Sequence, residues 1–90
     1  MEQVLVGRYH NIDGAAALLG GDLLLVNARE WQPEVVRVDM TGMGVQGLAE
    51  GKMASLQFTS GGTSDGFSGV GDTELAVEFA NRIRQHAAGG

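Results

Sequence analysis

Residues 53–84 read MASLQFTSGGTSDGFSGVGDTELAVEFANRIR, and the change of period inside this stretch decides the fold. Ala54, Leu56 and Phe58 alternate with Ser55, Gln57 and Thr59, the period of two that sets one face of a strand on a core and the other in water. Gly61-Gly62 supplies a turn, and Thr63–Val70 follows as a further short strand with Phe67 facing the core. From Asp72 onward the period becomes that of a helix. Leu75, Ala76, Phe79, Ala80, Ile83 and Ala87 share one arc, and Glu74, Glu78, Asn81, Arg82, Arg84 and Gln85 share the other. Val77 is the one apolar residue on the polar side. Asp72 can accept hydrogen bonds from the free amides of the first turn, and Glu78 and Arg82 stand four apart in the favourable order. A helix over about 73–87 is predicted, with 88–90 as a tail.

Working outward, Gln3–Gly7 is a β-branched run that reads as a strand, followed by Asp13-Gly14 as a turn signal. Ala15–Leu19 and Leu23–Asn27 are apolar runs joined by Gly20-Gly21-Asp22, a hairpin whose glycines can take positive φ. Val35–Asp39 is a strand entered through Gln32-Pro33, where a proline is tolerated because it stands at the beginning. Thr41–Leu48 alternates Met43 and Val45 with Gly42, Gly44 and Gln46 and reads as a weak or bulged strand. The expected architecture is mainly β, about six to seven antiparallel strands followed by one helix.

A chain of 90 residues supports one core, so residues 1–90 are expected to form a single domain. Its 43% apolar and 19% charged residues suit a folded protein, and 15 glycines against one proline suit short strands with tight connections. Without cysteine there is no disulfide, thiolate metal site or thiol nucleophile. Six basic residues against eleven acidic ones give a net charge of -5 with the cations scattered, which disfavours nucleic acid and direct anionic-membrane binding. Neither apolar run, Ala15–Leu19 or Leu23–Val26, is long enough to span a bilayer, and no basic region leads into an apolar start. A soluble chain in a reducing, cytoplasmic setting is the expectation.

The apolar strand Gly-Gly-Asp22-Leu23-Leu24-Leu25-Val26, the strand Val35–Asp39, the alternating strand Met53–Thr59, the glycine turn, Phe67 and the helix Leu75–Arg84 together resemble the small bacterial pleckstrin-homology-like (PH-like) domains. The likeness covers roughly Ala15 to His86 and is one of spacing and hydrophobicity. It implies a curved, partly open antiparallel β-barrel, one end covered by the C-terminal helix, that serves contacts with other proteins. It implies no ligand residues, because the strand before Val26 lacks the basic residues often found there and Gly42–Gly47 is unusually glycine-rich.

No arrangement in the chain carries chemistry. Residues 60–71 lie between a strand and a helix, where a phosphate cradle would be found, but no lysine follows and Asp72 puts negative charge at the helix N-terminus. His10 and His86 lack metal-ligand spacing, and no serine between 55 and 68 stands in a nucleophile-elbow context. Gly89-Gly90 follows the helix too closely for an extended modifier tail and reads as a frayed end. The predicted chain is therefore not an enzyme and binds no cofactor or metal. Trp31, Met40, Met43, Val45 and Leu48 remain as large apolar residues in segments of poor burial patterning, and they form the expected contact surface. The function expected is a protein-interaction or self-assembling module, meeting a partner protein or another copy. The alternative is a carrier domain holding an anion or a small apolar ligand.

Overall fold

The computed structural model describes residues 3–29 and 32–89, the side chain of Glu50 excepted. Seven strands run β1 (Gln3–Tyr9), β2 (Ile12–Leu19), β3 (Asp22–Asn27), β4 (Glu34–Asp39), β5 (Gly44–Glu50), β6 (Met53–Ser60) and β7 (Thr63–Val70), and helix α1 (Thr73–Gly89) follows. They form one antiparallel sheet in the order β4-β3-β2-β1-β7-β6-β5. β4 and β5 are consecutive in sequence but lie at opposite edges, so the curled sheet is a partly open barrel.

Four hairpins close through two-residue turns at His10-Asn11, Gly20-Gly21, Gly51-Lys52 and Gly61-Gly62. His10 (φ 53°) and Asn11 (φ 64°) both take the left-handed conformation that matches the twist of the flanking strands. This corrects the expected turn at Asp13-Gly14. Gly14 instead lies within β2, where the Val26 carbonyl comes so close that no Cβ would fit. Thr41-Gly42 turns β4 towards β5, held by Met43 N–H donating to Met40 C=O (3.1 Å) and Thr41 N–H donating to Asp39 Oδ1 (2.9 Å). The strand expected from Thr41 begins only at Gly44, because the first three residues form this corner.

The core takes Leu5 and Tyr9 from β1, Ala16 and Leu18 from β2, Leu23 and Leu25 from β3, Leu56 and Phe58 from β6, and Phe67 and Val70 from β7. Helix α1 closes it with Ala76, Phe79, Ala80 and Ile83, the arc read from the sequence. Leu75 N–H donates to Asp72 Oδ1 at 3.0 Å, so Asp72 is the N-cap. The helix runs through Gly89, past the predicted end at 87.

The sheet has a narrow junction. β1 pairs with β2 along its whole length, but with β7 only at Arg8↔Ser68 and Tyr9↔Phe67. An extra residue in β7 relative to β6, between Phe67 and Val70, makes a bulge in which Gly69 has φ 68°. Beyond it, β7 follows β6 and parts from β1. Gly7 sits at this junction because Phe67 and the Ser68 carbonyl occupy the space a side chain would need.

Candidate functional site

The expected contact residues do not stay together. Met40 and Met43 are buried, 2% and 4% exposed, which corrects their placement on a surface. The corner at Thr41-Gly42 turns both inward to fill the end of the core, despite their glycine-rich surroundings. Val45 is half-buried against the same core. Leu48 is exposed at 62%. Trp31 lies outside the described residues.

What the structure adds is a groove that the β5 edge shares with α1. Val77, out of place on the helix's polar side, is 61% exposed and lies across a groove from β5. One wall of the groove is Gly47–Ala49, the other is the helical stripe Thr73, Ala76, Val77, Ala80 and Arg84, and Leu56 and Ala54 lie between them. Its volume is about 270 Å³, under the roughly 300–1,000 Å³ typical of small-molecule pockets and suited to single apolar side chains. At one end Arg84 Nη2 donates to the Val45 carbonyl at 3.0 Å.

This edge differs from the other one. β4 carries Glu34, Arg37 and Asp39, and charged side chains on an edge strand discourage pairing with another chain. β5 has no charge from Gly44 to Ala49, and among the described residues its one strand partner is β6. Apart from the Val45 carbonyl held by Arg84, its backbone groups on the free side are open to a further strand, and the apolar stripe of α1 lies beside them. Val77 is the residue that reading the helix alone could have flagged, through its misplaced hydrophobicity.

A polar cluster pins the opposite side of the barrel. Asn27 is fully buried and its Nδ2 donates to the Tyr9 carbonyl (3.0 Å) and to Glu34 Oε1 (3.0 Å). Glu34 also meets His10 Nδ1 at 2.9 Å, and that hydrogen bond is the main cause holding its carboxyl below the usual range. Tyr9 Oη donates to Asp65 Oδ1 (3.1 Å); burial first, then the Asp65 charge, pushes the phenol up to about 12. These bonds tie β1, β3, β4 and β7 together. The two histidines stay apart, His10 in the β1–β2 turn and His86 beside Gly21 near the end of α1.

A second groove, about 750 Å³, fills the wedge where β1 and β7 part, with Val4, Val6, Met53 and Leu75 among its lining residues. Among the described residues, no helix is long and apolar enough to cross a membrane, and no three His, Asp or Glu side chains gather as a metal set. No family model, curated protein or solved structure matches this chain.

Proposed function

We propose that this protein is a non-catalytic interaction module of PH-like architecture that captures an extended apolar segment of a partner protein along β5. The observation that carries the reading is an uncharged edge strand beside an apolar helical stripe, with Val77 exposed on the helix wall of the groove and Leu48 exposed on β5 itself. An added strand would take its main-chain hydrogen bonds from β5 and set alternate side chains towards Val77 and Ala80. Its amide at one end would meet the Val45 carbonyl now held by Arg84. The strand order and the closing helix fit the PH-like resemblance, and the absence of charge on β5 argues for an apolar rather than an ionic partner segment.

The carrier reading has less to stand on. Tyr9, Phe58, Phe67 and Phe79 fill the barrel interior, each no more than 2% exposed, so a ligand inside would have to displace the core.

Selection of peptides from a random library on the immobilised protein, followed by calorimetry, tests the proposal. Selected peptides are expected to be extended and apolar at alternate positions, and Leu48→Asp and Val77→Asp are each expected to weaken them at least about tenfold. Peptides that bind both folded variants as tightly as the native chain would place the site elsewhere.

A further inference from the structure

We infer that the segment captured along β5 is the C-terminus of its partner protein, with the terminal carboxylate bound by Arg84. This rests on the reading of β5 as the working edge, and it adds which end of the partner enters and in which direction. The two-residue turn at Gly51-Lys52 makes Glu50 and Met53 a hydrogen-bonded pair, and such pairs recur at every second residue of an antiparallel ladder. Gly44, Gln46 and Leu48 therefore bond to β6, while Val45, Gly47 and Ala49 turn their N–H and C=O groups to the free side. The bond from Arg84 to the Val45 carbonyl has the same phase. An added strand in the antiparallel sense of every other pairing in this sheet runs from Ala49 towards Val45, so its C-terminal end arrives at Arg84.

Arg84 is suited to a carboxylate. Among the described residues that line the groove it is the one charged side chain. Its hydrogen bonds, from Nη2 to the Val45 carbonyl and from Nη1 to Asn81 Oδ1, are both 3.0 Å and both go to neutral oxygens. Arg37 and Arg82, by contrast, pair with Asp22 and Glu78. Asn81, on the preceding turn of α1, steadies one arm of the guanidinium. A carboxylate can take two parallel N–H groups from such a fork, and charge-assisted hydrogen bonds are about twice as strong as neutral ones, so an arriving carboxylate draws Arg84 from the carbonyl. The Val45 carbonyl is then free to accept the amide of the partner's last residue.

The place of the guanidinium selects a main-chain carboxylate over an acidic side chain. It lies at the main-chain edge of β5, against the Val45 carbonyl. Val45 itself faces the core, and directly paired residues of neighbouring strands point to the same face, so the partner residues opposite Val45, Gly47 and Ala49 point towards the stripe of Ala76, Val77 and Ala80. An Asp or Glu side chain there would set its charge on apolar surface. β5 also begins at Gly44, one residue beyond Val45, with the corner at Thr41-Gly42 just before it. The edge thus offers a continuing chain no further backbone partners at that end.

The probes are short peptides with valine or leucine at alternate positions, each made as the free C-terminal acid, as the C-terminal amide, and as an amide whose last residue is aspartate. Calorimetry compares them on the native chain and on Arg84→Gln, a change at an exposed position. Free acids are expected to bind the native chain at least about tenfold more tightly than the amides, and to lose that advantage in Arg84→Gln. Ala54 pairs with both Ala49 and Val70, which places the start of α1 at the far end of the groove, so a nitroxide on the peptide's N-terminus is expected to broaden the amides of Ala49 and Thr73 more than that of Val45. Acids and amides that bind equally, or an acid preference that survives Arg84→Gln, would overturn the inference and leave β5 as the binding edge. An aspartate amide as tight as the free acid would overturn the choice of the terminus, and broadening centred on Val45 would overturn the direction. If no peptide binds at about 1 mM, both the inference and the reading of β5 beneath it fall.

Discussion

Replacing Gly7 by alanine tests the junction that holds the two halves of the sheet together. A Cβ at Gly7 would lie 2.5 Å from the Ser68 carbonyl oxygen and 2.7 Å from Cε2 of Phe67, both inside van der Waals contact. Phe67 cannot move far, since it is 1% exposed in the core and paired with Leu56. The Ser68 carbonyl belongs to one of only two residue pairs joining β1 to β7, so it moves only by loosening them. Overpacking a core typically costs about 1–3 kcal/mol, and the lost pairing puts Gly7→Ala at or above the upper end of that range. Urea unfolding, followed by circular dichroism, measures it. Gly66→Ala is the control, because a Cβ there meets nothing within 4 Å and its φ is not left-handed; it should leave stability unchanged or raise it slightly. A Gly7→Ala protein within about 0.5 kcal/mol of the native one would refute this account of the junction.

Three further outcomes are expected. Phe79→Ala, at a position with no exposure, should cost about 3–5 kcal/mol in urea unfolding, whereas Glu78→Ala, on the exposed face of α1, should cost little. Asp72→Ala should cost about 1 kcal/mol through loss of the cap to Leu75, with a matching loss of helical signal on heating. Because Tyr9 in the fold keeps its proton up to about 12 while the unfolded phenol loses it near 10, the folded state binds more protons in that window. Stability should be fully present below pH 10 and fall as pH rises towards 12, by up to roughly 1.4 kcal/mol per unit, and Tyr9→Phe should remove that slope.

Periodic segments were legible because one geometry dominates them. The alternation of Met53–Thr59 and the helical arc of Leu75–Ile83 each need only a single buried face, and the structure buries those faces. Segments governed by local turn chemistry were less so. Asp13-Gly14 carries the stronger turn signal in isolation, yet the pairing of Gly7 with Gly14 draws both into strands and leaves His10-Asn11 to turn. Met40 and Met43 stand among glycines and polar residues, and only the corner geometry turns them inward.

The apolar runs Ala15–Leu19 and Leu23–Asn27 could not say which of their faces is bare. Continuous apolar strands commonly have both faces covered, whereas here α1 and the curled sheet cover only the inner one. The groove beside β5 depends on residues almost thirty positions apart, Leu48 and Val77, which no local pattern connects.

Amide hydrogen exchange, measured by NMR on the native chain with and without a selected extended peptide, tests most directly whether β5 is the working edge. The account predicts that amides of Gly44–Glu50 on the side away from β6 exchange freely in the unbound protein and become protected on binding, while those of β4 do not change. Protection confined to β4, or spread over the barrel with no change along β5, would contradict it.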